Sequence, residues 1–139
     1  MDFRKVGSTY ILRLDRGEEI LSSVKDFCVQ NSITAAEVSG IGGVENPTMG
    51  CYDLTKQAYN KKTFNGIFEI TTLAGNITVV DEKPFAHLHI TIADKDLSVK
   101  GGHLLEGKIG LTGEIFIKNL DTKITRKHVD ALGLNIFDL

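Results

Sequence analysis

Apolar and polar residues alternate along most of this chain, and a period of two marks half-buried β-strands. In residues 9–14, Tyr10, Leu12 and Leu14 are set against Ile11 and polar neighbours, predicting a strand that Asp15-Arg16-Gly17 ends. The period then changes. Ile20, Leu21, Val24, Phe27 and Cys28 fall at i, i+1, i+4, i+7 and i+8. That single apolar stripe predicts one helix over residues 18–30. Glu18 and Glu19 are expected in its first turn, where the helix dipole favours acids, and Asn31 is the expected stop.

Residues 33–39 read as a strand whose Ala35, Ala36 and Val38 are small enough to lie under that helix. Gly40-Ile41-Gly42-Gly43 has the look of a phosphate-cradling loop, but a dinucleotide fingerprint must open onto a helix. Here Val44, Met49, Cys51 and Tyr52 continue in strand-like sequence. The glycines therefore predict a bend, a bulge or a close backbone approach. Residues 56–63 are polar and read as a loop. Residues 64–80 are β-branched and aromatic with Gly75-Asn76 inside, predicting two strands or one bent strand. A turn is expected at 105–108, a strand at 109–117 and a short strand at 123–128. Residues 130–139 form a tail whose Leu132, Leu134, Ile136 and Phe137 dock on the body or on a partner.

One helix and seven to nine strands imply an α+β fold: a curved, mostly antiparallel sheet with the helix on one side. No repeat, linker or low-complexity stretch interrupts it, so residues 1–139 read as a single domain.

The stretch over residues 84–105 changes the picture from fold to chemistry. It holds three of the four histidines. Leu88, Ile90 and Ile92 point one way; His87, His89, Thr91 and Ala93 point the other. Asp94-Lys95-Asp96 is turn chemistry, so residues 98–105 return as an antiparallel partner. A turn centred on Asp96 places His89 opposite His103, with His87 two positions along on the same face. Residues i and i+2 lie about 6.6 Å apart on a strand, and cross-strand pairs about 4.5–5.5 Å apart. Three imidazoles so placed can converge on one metal ion. A pairing offset by one residue turns His103 to the opposite face and dissolves the cluster. The even register also sets Lys100 beside Ile92 on the apolar face, which a snorkelling side chain can absorb.

Composition adds exclusions. Of 139 residues, 42% are apolar and 24% charged, and the net charge is −2. That is the wrong sign for a domain whose main work is gripping phosphates. The local basic runs, Lys56, Lys61 and Lys62, then Lys123, Arg126 and Lys127, read as solvated surface. There is no transmembrane-length apolar run and no signal-peptide pattern, so a cytoplasmic location is expected. Cys28 and Cys51 lack metal-type spacing and read as small apolar residues in a reducing compartment.

Four stretches, taken in order, resemble the PPC domain, the plant and prokaryote conserved domain, in its stand-alone prokaryotic form. They are residues 10–20 (Tyr-Ile-Leu-Arg-Leu-Asp-Arg-Gly-Glu-Glu-Ile), residues 38–44 (Val-Ser-Gly-Ile-Gly-Gly-Val), residues 64–77, and His87-Leu88-His89-Ile90 with residues 101–107 (Gly-Gly-His-Leu-Leu-Glu-Gly). The resemblance implies a strongly curved antiparallel sheet, assembly as a homotrimer and a metal site matched by His87, His89 and His103. It also implies association with DNA or DNA-bound proteins. The AT-hook of the plant members, an Arg-Gly-Arg-Pro type element, does not occur in this sequence.

Neutral imidazoles suit zinc, ahead of nickel, copper or iron. Three histidines with an open position is a catalytic ligand count, in which a bound water can be acidified. A fourth carboxylate ligand would instead close the site into a structural one; Glu106 is nearest in sequence, with Glu37, Glu69 and Glu114 as further strand-borne acids. His128 reads as a surface residue. Two functions follow. One is a homotrimeric assembly or regulatory domain with a three-histidine metal site and room for a small-molecule ligand. The other is a zinc-dependent enzyme, a hydrolase or lyase working with metal-activated water. No nucleophile elbow or carboxylate pair marks a catalytic centre.

Overall fold

Nine strands and one helix order the chain, which is described over residues 1–139 in a computed structural model. The strands are β1 (Asp2–Val6), β2 (Thr9–Leu14), β3 (Ala36–Asp53), β4 (Ala58–Thr63), β5 (Ile67–Val80), β6 (Lys83–Ala93), β7 (Val99–Asn119), β8 (Thr125–Val129) and β9 (Leu134–Asp138); the helix, α1, is Ile20–Gln30. They form one sheet in the order β1-β2-β7-β3-β5-β8-β9, with β4 on β3 and with β6 joining β5 to β7. Every pairing is antiparallel except β5 with β8. The fold is α+β with a curved, mostly antiparallel sheet, as expected. The curvature goes as far as closure, because β3, β5, β6 and β7 pair in a ring.

The helix seals one face. Ile20, Val24, Phe27 and Cys28 are buried, against β6 and β7. Its start differs from expectation. Glu19 is the N-cap, its Oε2 accepting from the Ser22 N–H at 2.6 Å, and no acid lies in the first turn. The carboxylate thus satisfies one of the orphan N–H groups directly. Glu18 serves the preceding turn, accepting from the Asp15 N–H at 2.6 Å. Asn31 is the C-cap, its Nδ2 donating to the Phe27 carbonyl at 2.9 Å.

Leu12, Leu73, Ile77, Leu88, Ile90, Ile92, Leu104 and Ile109 complete the core and are all at most 1% exposed. Each such side chain contributes about 1.5–3 kcal/mol relative to exposure. Burial pushes the Cys28 thiol up to about 12, whereas Cys51 is exposed. Iodoacetamide should therefore label Cys51 in the folded protein and Cys28 only after denaturation. Equal labelling of both under native conditions would contradict this core.

The glycine run is a close backbone approach and a bulge. The β3–β5 register shifts between Gly40 and Gly42. Gly42 has φ +146°, and a Cβ there would lie 2.1 Å from the Thr112 carbonyl oxygen. Two expectations change. Residues 105–108 are not a turn, because β7 runs unbroken through them. The irregularity is taken up opposite, where the β3 register shifts between Glu45 and Thr48, around Pro47, which has no N–H to pair. Residues 56–63 are not all loop, because β4 pairs with β3 alone and is polar because it is an exposed edge. Of the two alternatives for residues 64–80 the structure has the single strand, β5, which passes through Gly75-Asn76 without a break. The tail docks on the body, with β9 paired to β8. No helix is long and apolar enough to cross a membrane.

Candidate metal centre

The β6–β7 hairpin has the even register. His89 pairs with His103, Ile90 with Gly102, Thr91 with Gly101, Ile92 with Lys100 and Ala93 with Val99. Asp94 closes the turn, its Oδ1 accepting from the Asp96 and Ser98 N–H groups at 3.0 Å each. Lys100 reaches back out of the apolar face, its Nζ 2.9 Å from Asp94 Oδ2. Leu88, Ile90 and Ile92 are buried beneath, so the three histidines emerge together on the other face.

The rings form a nearly equilateral triangle, with centroids 5.2 Å apart for His87–His89, 5.1 Å for His87–His103 and 5.3 Å for His89–His103. One ring nitrogen from each lies within 4.8 Å of the others. A tetrahedral ion with bonds of about 2.0–2.1 Å needs those nitrogens about 3.3 Å apart, which modest side-chain rotation supplies. The donor set fits a divalent transition metal of borderline softness. Desolvation, then His87 and His89, lowers the His103 pKa to about 4. Desolvation, then Arg126 and His89, lowers that of His87. Both rings are thus held neutral at pH 7, the form that ligates. Tyr59 of β4 lies against His103, ring centroids 4.7 Å apart, with its hydroxyl 3.4 Å from His103 Nδ1. A metal-ligating histidine commonly presents its second ring nitrogen to such a partner.

The triad sits in the wall of a cleft of about 870 Å³. The body contributes Tyr52, Tyr59, Asn76 and Phe85; the β8–β9 hairpin supplies Arg126, His128 and residues 133–137. The hairpin is anchored by Val79 pairing with Thr125 and by the Tyr52 hydroxyl, which donates to the Leu132 carbonyl at 2.7 Å. Arg126 is therefore no solvated surface residue. Its Nε donates to Thr78 Oγ1 at 2.8 Å, Nη1 to the Asn135 carbonyl at 2.8 Å and Nη2 to Asn76 Oδ1 at 2.9 Å. Nη2 also lies 3.5 Å from His87 Nδ1. His128 is exposed, as expected, but at the cleft rim. Glu37, Glu69, Glu106 and Glu114 are outside the cleft lining and outside the triad.

Residues 1–121 match the family model of the Plants and Prokaryotes Conserved (PCC) domain, also abbreviated PPC. The chain belongs to this family. Proteins of known structure share the fold over nearly their whole length. A protein of Bacteroides thetaiotaomicron, described as a "putative DNA-binding protein", is 34% identical over 99% of this chain and 96% of its own, with a TM-score of 0.96. A PPC protein of Pyrococcus horikoshii is 34% identical over 99% of this chain and 95% of its own, with a TM-score of 0.89. A protein of Archaeoglobus fulgidus described as metal-containing is 33% identical over 100% of this chain and 99% of its own, with a TM-score of 0.89. No curated protein matches the chain.

Proposed function

We propose that this PCC chain is a homotrimeric assembly domain that binds one divalent metal, with zinc the best fit, through His87, His89 and His103. The observation that carries the reading is the triad itself: three ring nitrogens within 4.8 Å, on one hairpin, facing a cleft. Three protein ligands leave a tetrahedral ion one position for a small ligand from the cleft. The metal-containing relative from Archaeoglobus fulgidus supports the same reading.

Support for assembly comes from an apolar band on the outer face of the sheet. Ile11 and Phe116 are cross-strand partners. Ile41, which pairs with Glu114, and Leu111 extend the band, and all four are exposed in the single chain. Exposed large apolar side chains on neighbouring strands favour an interface there. Phe116→Asp is expected to reduce the solution mass from three times 15.2 kDa to one, read by light scattering. An unchanged mass would place the interface elsewhere.

Association with DNA, which the description of the Bacteroides thetaiotaomicron relative suggests, on this reading runs through DNA-bound partners. The chain carries net charge −2. Lys56, Lys100, Lys123 and Lys127 are each paired with a carboxylate. An enzyme using metal-activated water needs a base within reach; no Asp or Glu lines the cleft, and the one further histidine, His128, is exposed at its rim and bonded to Asn135, so ligand binding is the better-supported role. Elemental analysis of untagged protein, together with its mass in solution, tests the whole reading. Metal-free monomer after purification without chelators, with no uptake of added zinc, would overturn it.

A further inference from the structure

The β8–β9 hairpin lies beyond the residues matched by the family model, and it carries the cleft's most unusual side chain. A guanidinium has five N–H donors. The bonds of Arg126 to Thr78, Asn135 and Asn76 use one on each nitrogen. One N–H remains free on Nη1, and the second on Nη2 makes only a long contact, 3.5 Å to His87 Nδ1. Phe85 and Phe137 lie against the guanidinium, with ring centroids 4.9 and 4.6 Å from Cζ. These contacts fix the group, but none of them is anionic. Arg126 is partly buried and yet has no salt bridge, whereas its neighbours Lys123 and Lys127 both do. A partly buried cation normally has a paired anion.

We propose that Arg126 is an anion-binding residue and that the cleft takes a small flat carboxylate, an aromatic or unsaturated acid. The free Nη1 N–H, with the Nη2 N–H that makes only the long contact to His87, leaves the guanidinium two donors to offer a carboxylate. The rings of Tyr52, Tyr59, Phe85 and Phe137 offer apolar surface for a flat body. The volume of about 870 Å³ is that of a small-molecule site. Inorganic phosphate shares the guanidinium chemistry but gains nothing from the aromatic walls. The inference deepens the reading of the cleft as the ligand side of a metal site, and it stands on Arg126 rather than on the histidines.

The test is calorimetric titration of the full chain with benzoate, its neutral counterpart benzamide, and inorganic phosphate, with metal content measured on the same samples. Benzoate should bind at least tenfold more tightly than benzamide and than phosphate. Arg126→Met, compared with the parent at saturating zinc because Arg126 Nη2 contacts His87, should weaken benzoate at least tenfold and leave benzamide unchanged. Should that variant fold poorly, the benzoate–benzamide comparison on the unmodified protein decides. Equal binding of the two, no binding of either, or a preference for phosphate would overturn the proposal. Loss of preference in metal-loaded protein sinks the carboxylate site alone. An Arg126-dependent preference in protein that takes up no metal supports this site and sinks the metal reading instead.

Discussion

His89→Ala is expected to lose nearly all bound metal while leaving the fold in place. His89 is exposed and shares its face of β6 with His87, opposite the buried Leu88, Ile90 and Ile92. Surface substitutions away from special features usually change stability by no more than about 0.5 kcal/mol, so the metal-free variant and the metal-free parent should melt together. Metal affinity behaves differently. Loss even of an outer partner costs about 10–100-fold in affinity, and a removed ligand should cost more than about a hundredfold. Because metal binds only the folded chain, it also raises the melting temperature by linkage. Added zinc should stabilise the parent and leave the variant unmoved. Elemental analysis giving the same metal content for both would mean that the ion, if bound, is held elsewhere.

The histidine site was legible because parity carries it. Leu88, Ile90 and Ile92 must all face the core, which fixes the side on which His87 and His89 emerge. Asp94 supplies a turn that fixes His103 opposite His89. Both are local facts, settled within the same hairpin. Arg126 was not legible in this way. It reaches the site through a single parallel pairing, Val79 with Thr125, and nothing in the period of residues 123–128 reports on that distant contact. Its neighbours Lys123 and Lys127 pair with Glu82 and Asp138 at the surface, so the run reads as charged exterior. The available signal was the tail: an apolar run ending in Ile136-Phe137 needs a partner strand, and Phe137 pairs with Arg126. Tyr59 was missed for a similar reason. β4 is a polar edge strand, and its loop-like composition hides the one ring that lies on His103. At 105–108 the error ran the other way. Glu106-Gly107 is turn chemistry in isolation, yet the long-range pairing of Thr48 with Glu106 keeps the strand continuous.

Gly75→Ala should destabilise the protein and empty the metal site without touching a ligand. Gly75 sits inside β5 between two partners, opposite Val38 on β3 and Leu88 on β6. A Cβ there would lie 1.9 Å from the His87 carbonyl oxygen and 2.9 Å from both the His87 carbonyl carbon and the Leu88 Cα. All three are backbone atoms, so no side-chain rotation relieves the contact; β5 and β6 must separate. Overpacking costs about 1–3 kcal/mol, and an immovable neighbour puts this change at the upper end, on the order of 10 °C in melting temperature for a domain of this size. The shift acts on the backbone of His87 itself, moving its ring out of a triangle whose sides are all near 5 Å and lowering metal content in step with stability. Gly7→Asn is the control. Gly7 has φ +57° with nothing within 4 Å of an added Cβ, a conformation asparagine tolerates, so that variant should melt near the parent. Calorimetry and elemental analysis on both variants decide the matter: a Gly75→Ala protein with parental melting temperature and full metal would mean that β5 and β6 do not approach this closely, and that His87 is not held where the triad requires it.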